Sequence, residues 1–226
     1  PVEALPGYDA GRWWVQDAAS AIPARLLRAS PGASVLDLCA APGGKTAQLA
    51  KAGFEVSALD SDSARLERFS ANMSRLGYAP EVITADASSY RAETPFDAIV
   101  LDAPCSATGP FRRHPEILWH RNAADIAGRV RLQRALLTNA FANLAVGGSL
   151  IYCVCSLEPE EGEAQADWAL GALPGLEADP ITVAEMAGLA EAVTEKGHVR
   201  THPGMAPGGR NGGMDGFFVA RFRRTR

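Results

Sequence analysis

Residues 34–51 set the frame for the whole chain: an apolar run, Ser-Val-Leu-Asp-Leu-Cys, passes straight into Ala-Ala-Pro-Gly-Gly and then into Lys-Thr-Ala-Gln-Leu-Ala-Lys. A short apolar strand entering a glycine turn and a helix opens an α/β unit, and its turn lies where such sheets take ligands. The alternation then recurs. Further strands are predicted at 54–60, 81–85, 96–101 and 149–154, and helices at 44–51, 62–76 and 122–144. A helix capped by Ser156 or Glu158 is predicted to run to residue 173, and residues 216–222 supply a closing strand. Strands and helices alternating at this spacing predict an α/β fold, a mostly parallel central sheet with helices on both faces. Residues 1–32 read as a lead-in segment packed on the domain at 33–226, with apolar residues at helical spacing over 16–28 and a bend at Pro23.

Two familiar uses of a glycine turn fail here. A phosphate-binding loop needs glycine five residues before Gly44, where Cys39 stands, and the dinucleotide pattern of three spaced glycines is absent. What remains is a class I S-adenosylmethionine pocket, in which small residues let the methionine part approach the backbone. The strand ends agree with it. The second strand ends in Asp60, placed to accept from both ribose hydroxyls; Asp86 follows the third, placed to meet the adenine amine; Asp102 ends the fourth.

The four cysteines are too sparse for a disulfide framework. Cys39 and Cys153 fall within or at the end of strands and read as small core residues, whereas Cys105 and Cys155 fall where strands give way to loops, on the ligand edge. Their spacing is a poor zinc pattern, and no metal site is expected. A thiol beside a methyl donor suits methylation of carbon 5 of a pyrimidine. That carbon is a weak nucleophile until a thiolate has added at carbon 6, and a helix N-terminus after Cys155 would favour the thiolate.

Charge first speaks against a polyanionic partner, since the formal net charge is −4. All ten acids from Glu158 to Glu195 lie in one stretch without Lys or Arg, expected to be a helix and outer surface; the other 186 residues hold 22 bases against 16 acids. Arg112, Arg113 and Arg121 flank the loop after Asp102, and Arg129, Arg131 and Arg134 lie on the next helix, with Trp119 or Phe111 able to stack on bases. No apolar run approaches the roughly 20 residues that span a bilayer, and the N-terminus has no secretory pattern, so the chain reads as cytoplasmic, with no membrane partner.

Taken together, these motifs resemble those of the RsmB/Sun-type RNA cytosine-5 methyltransferases. The resemblance rests on residues 39–45 (Cys-Ala-Ala-Pro-Gly-Gly-Lys), 104–106 (Pro-Cys-Ser), 155–157 (Cys-Ser-Leu) and 160–163 (Glu-Glu-Gly-Glu). It extends to residues 14–17, 113–119 and 215–218, in the family's order, and is weakest over 176–200. It implies a class I methyltransferase Rossmann-like fold with an antiparallel C-terminal strand and S-adenosylmethionine as cofactor. Cys39, Ala40, Ala41, Pro42, Gly43, Gly44 and Lys45 would line the cofactor, with Asp60 on the ribose, Asp86 on the adenine and Asp102 where methyl group and base meet. It further implies Cys155 as nucleophile, Cys105 assisting product release by acid–base action, and Lys45 touching the cytosine or its phosphate. The implied substrate is small-subunit ribosomal RNA, and a helical N-terminal RNA-binding domain would precede a chain that starts at Pro1. The alternatives are a DNA cytosine-5 methyltransferase that attacks with Cys105, and a non-catalytic RNA-binding module.

Overall fold

The apolar runs form strands where the pattern placed them. The computed structural model describes residues 1–120, 122–186, 188–207 and 213–226. β1 (Ser34–Leu38), β2 (Glu55–Asp60), β3 (Glu81–Thr84), β4 (Phe96–Asp102) and β5 (Leu144–Val154) are parallel, in the spatial order β3-β2-β1-β4-β5. Beyond β5 come three later strands, β6 (Leu176–Ala178), β7 (Val199–Thr201) and β8 (Phe217–Arg224). β8 runs antiparallel beside β5, and β6 and β7 both pair antiparallel with β8, which makes eight strands among the described residues. This is the mostly parallel α/β sheet that the sequence pattern predicted, with the reversed C-terminal strand that the resemblance implied, enlarged by two short strands from the least regular stretch.

Helices cover both faces. α1 (Ile22–Arg25), α2 (Gly44–Lys51) and α3 (Ser63–Leu76) lie on one; α5 (Ala123–Asn143) and α6 (Glu163–Ala172) lie on the other, and the short α4 (Ile117–His120) precedes α5. Local signals set their limits. Asp62 caps α3 by accepting from Arg65 N at 3.1 Å, and Gly77 ends it at φ 76°. Leu66, Phe69 and Met73 form its buried stripe, each stabilising by roughly 2 kcal/mol. Asn122 and Asp125 form a reciprocal capping box at the start of α5.

Three expectations need correction. The helix over 16–28 shrinks to α1, because Asp17 closes a turn by accepting from Ala19 N at 2.9 Å and Pro23 supplies no amide within the helix. The helix expected from 156–158 begins only at Glu163, since residues 156–162 wrap around the fully buried side chain of Glu161. The acidic stretch is accordingly no simple outer surface: Glu163 pairs with Arg200, while Asp179 and Glu185 pair with the buried Arg221. Within 1–32, Ala19 and Ile22 enter the main core. No helix among the described residues is long and apolar enough to cross a membrane.

Candidate active site

Strand alternation builds the floor of the site. Side chains of a strand point alternately to the two faces, and Val35, Ala98, Val100, Ile151, Val219 and Phe217 share the α1–α2 core. The same alternation carries Asp37, Asp102 and Cys153 to that face, in register, with Asp37 opposite Val100 and Asp102 opposite Cys153. Above them opens a cavity of about 550 Å³ lined by Asp37, residues 39–45, Asp102, Arg113, Cys155, Asp215 and Phe217, and by Trp14, Gln16 and Asp17 of the lead-in segment. The turn at 39–45 and both Asp102 and Cys155 are thus brought together.

Glycine is required in the turn. Gly43 has φ 105°, and a Cβ there would stand 2.8 Å from Met73 Cε. Lys45, buried one step into α2, donates to Asp102 Oδ2 at 2.6 Å and lies 5.3 Å from the centre of the Phe217 ring. Burial works against its ammonium, but the charge of Asp102 outweighs that and holds the lysine protonated above its ordinary range. Asp37 is fully buried. Burial pushes its carboxyl up to about 7 against the opposing hydrogen bond from Thr46 Oγ1 (2.6 Å) and the charge of Lys45. Its other oxygen, Oδ1, has no hydrogen-bond partner among the described residues.

The two loop cysteines meet. Cys105 Sγ and Cys155 Sγ are 3.5 Å apart. The contact with Cys155, then burial and the charge of Glu161, push the Cys105 thiol well above its ordinary value. Cys153 is the fully buried core residue predicted, whereas Cys39 is half-buried and lines the cavity; burial pushes Cys39 up to about 12 and raises Cys153 well above the usual thiol range. The helix expected directly after Cys155 is absent there, because α6 starts eight residues on, so no helix dipole acts on the thiol. Instead Gly109 N donates to the Cys155 carbonyl at 3.0 Å and Gly216 N to the Gly109 carbonyl at 3.0 Å, backbone contacts close enough to exclude a side chain.

The outer acids sit apart from the cavity wall. Asp60 is buried, accepts from Ala41 N (3.2 Å) and Asp62 N (3.1 Å), and pairs with Arg65 at 3.3 Å. Asp86 is exposed and accepts from Ser88 N and Oγ, both at 2.8 Å; the backbone bond first and the hydroxyl second hold its carboxyl low. The arginines divide. Arg113 forks onto Asp215 (3.0 and 2.5 Å) and Arg112 reaches Asp17 (3.4 Å), whereas Arg129, Arg131 and Arg134 are exposed on α5. Arg121 lies outside the described residues. Sequence reasoning missed Asp37, the union of Arg113 with Asp215, and Glu161 as a buried carboxylate; the last three had membership of the quoted motifs as their only signal, and Asp37 had none.

A profile of the family described as "16S rRNA methyltransferase RsmB/F" matches residues 24–223. The chain is 38% identical over 226 residues to the Ribosomal RNA small subunit methyltransferase B of Cronobacter sakazakii, covering 98% of this chain and 49% of that protein. It is 40% identical over 227 residues to the protein of the same name from Vibrio vulnificus, covering 97% and 49%. The chain therefore spans about half the length of these curated relatives. Among solved structures, NSun6 from Pyrococcus horikoshii with SFG superposes with a TM-score of 0.86 at 27% identity, over 100% of this chain and 56% of that one. A methyltransferase homolog protein from Pyrococcus horikoshii gives 0.79 at 32% identity, over 99% and 72%. The sheet has the class I methyltransferase fold.

Proposed function

The chain belongs to the RsmB/F methyltransferase family, and from that premise we propose that it methylates carbon 5 of a cytosine in small-subunit ribosomal RNA, with S-adenosylmethionine as donor and Cys155 as nucleophile. The observation that carries the chemistry is the pair of loop thiols, 3.5 Å apart, of which Cys155 lines the cavity together with Lys45 and Asp102.

The cavity fits the cofactor. Its volume suits a ligand of that size, the small residues 40–44 line it, and Asp37 Oδ1 is a buried acceptor with no partner among the described residues, matched to the donor of an ammonium group. Residues 39–45 would hold the methionine part and Asp102 the reacting end. Asp60 and Asp86, outside the cavity wall, would take the ribose and adenine along the same sheet edge. When bound, the cofactor supplies an electrophilic methyl group. SFG, an analogue of this cofactor, accompanies the NSun6 neighbour and supports the assignment.

The chain's own residues do the rest. Cys155, as thiolate, adds to carbon 6 of the cytosine, and the electron pair of the C5–C6 double bond becomes available at carbon 5. Lys45, kept protonated by Asp102, offers a fixed positive charge beside the base, where negative charge develops on the pyrimidine. After methylation a base removes the carbon 5 proton, the double bond re-forms and the C6–S pair returns to Cys155, with Cys105 assisting release. The target base has to leave any stack to reach this depth, and the exposed Trp119 and the arginines of α5 are suited to hold neighbouring bases and phosphates. The extra length of the relatives supports a further RNA-binding domain that selects the target, and the reading puts the protein in the cytoplasm with its RNA.

The test compares Cys155→Ser with Cys105→Ser for covalent trapping on small-subunit RNA carrying 5-fluorocytosine. The adduct is expected with the Cys105 variant and lost with the Cys155 variant. The reverse pattern overturns the assignment in favour of attack by Cys105, and the same adduct on DNA but none on RNA overturns the substrate. Failure of the protein to bind S-adenosylmethionine in a calorimetric titration would leave a non-catalytic RNA-binding module as the better reading.

A further inference from the structure

One carboxylate with no exposure to solvent gathers donors from both cysteine loops. Glu161 Oε1 accepts from Ser106 N at 2.9 Å and Gln133 Nε2 at 3.1 Å; Oε2 accepts from Ser106 N at 3.1 Å, Ser106 Oγ at 2.5 Å and Ser156 Oγ at 2.6 Å. Its backbone carbonyl accepts from Tyr152 Oη at 2.6 Å, which fixes the residue to β5. Ser106 directly follows Cys105 and Ser156 directly follows Cys155. Gln133, on α5, also donates to the Pro104 carbonyl at 3.1 Å, on the other side of Cys105.

Burying a carboxylate is expensive unless several donors meet it, and every donor in this set is neutral. A serine pair bonded only to itself would join the loops at far smaller penalty: Ser106 Oγ and Ser156 Oγ already lie 3.1 Å apart. The charge therefore calls for a purpose other than stability, and its neighbour in the chain fold is the Cys105 thiol.

We propose that Glu161 is a positioning residue of the reaction: it staples the Cys105 loop to the Cys155 loop and keeps Cys105 as a proton donor aimed at the sulfur that must leave the product. The inference rests on the reading of Cys155 as nucleophile and Cys105 as the residue of release. The negative charge of Glu161 opposes a second negative charge on Cys105, in the direction already noted for that thiol. At release, water takes the carbon 5 proton, the C5–H pair becomes the C5–C6 double bond, and the C6–S pair returns to Cys155 Sγ. Cys105 gives its proton to that sulfur across the 3.5 Å gap and regains one from solvent.

Two measurements on Glu161→Gln test this, both in the whole protein. The first needs no RNA: the pH midpoint of Cys105 alkylation by iodoacetamide, read by peptide mass spectrometry, should fall by about one unit when the charge is removed. A purely structural role would not move that midpoint in a variant that keeps the wild-type melting temperature. The second uses an unmodified transcript of small-subunit ribosomal RNA, on which Glu161→Gln should accumulate a covalent protein–RNA adduct several-fold above wild type, as Cys105→Ser is expected to. An unmoved midpoint together with no accumulation overturns the inference. If Glu161→Gln does not fold, Ser156→Ala decides, since it removes one donor and keeps the charge. It should raise the adduct fraction with the midpoint unchanged, and wild-type turnover would overturn the stapling. Absence of any Cys155-dependent adduct in the wild-type protein would sink the proposed function instead, and the alkylation midpoint would still judge Glu161.

Discussion

Lys45 Nζ stands 2.6 Å from Asp102 Oδ2, joining the first turn of α2 to the last residue of β4 across the floor of the cavity. The lysine side chain is 9% exposed and the aspartate 32%. Asp102→Asn would leave a nearly buried ammonium without its counter-charge. We expect it to destabilise the fold by about 2–3 kcal/mol, less than a fully buried pair because water reaches the aspartate. Chemical denaturation at neutral pH measures this, and methyl transfer to RNA should fall by at least about a hundredfold.

Asp37 gives stability a pH dependence of the less usual sign. Its folded value of about 7 lies above the ordinary 3.8, so between these values the folded protein binds the proton more tightly than the unfolded chain. Its contribution is most favourable below about pH 4, declines as pH rises, and levels off above about pH 7. Asp37→Asn removes this titration. The stability of wild type relative to the variant should drop by about 2–3 kcal/mol between pH 5 and pH 8 in parallel urea melts. A constant difference would contradict it.

Gly109 is wedged between the backbones of Gly216 and Cys155. An added Cβ would stand 1.9 Å from the Gly216 carbonyl oxygen and 3.0 Å from that of Cys155. Neither backbone can yield without breaking the bonds that carry both loops, so Gly109→Ala should destabilise by about 2–3 kcal/mol and lower the melting temperature by about 5–10 °C. Scanning calorimetry reads this directly.

The Arg221 side chain has no solvent exposure and holds two carboxylates, Asp179 at 3.0 Å and Glu185 at 2.7 Å, while donating to the Leu26 carbonyl at 2.8 Å. Arg221→Met should destabilise by about 3 kcal/mol, moderated because Arg28 also pairs with both acids. The hydrogen bond from Arg221 holds the Glu185 carboxyl at about 2. Its stabilising effect is present above the ordinary value of 4.5 and fades as pH falls toward 2, so the variant's deficit should shrink in acid denaturation series over that window.

Trp119 is 85% exposed. Trp119→Ala should leave the melting temperature unchanged and weaken binding of a small-subunit RNA transcript about tenfold in a filter-binding assay, the scale of one lost base stack. Equal affinity of variant and wild type would remove Trp119 from the RNA path.

Periodicity made the sheet legible, because residues 34–38, 96–102 and 149–154 had no use for their apolar side chains other than a buried parallel sheet. The turn at 39–45, Asp102 and the two loop cysteines were legible for a related reason: each closes a strand, and strand ends converge on one edge. Glu161 was not. Its neighbours Glu158, Glu160 and Glu163 made the stretch look like a solvated helix, and nothing local tells a chain that Ser106, 55 positions earlier, will supply donors. The same distance in sequence hid the union of Arg113 with Asp215, 102 positions apart. Asp37 was hidden by its own strand, since an acid in an apolar run gives no sign of whether its oxygens will be satisfied.

The position of β8 also bears on how the molecule is made. It is the last element in chain order among the described residues, yet it lies inside the sheet between β5 and β6. Until it has left the ribosome, the nascent chain exposes the β5 edge that leads to Cys155, and the cavity lacks its Phe217 wall. In chain order both thiols therefore precede the strand that walls them in, and β8 is the described element that completes the cavity.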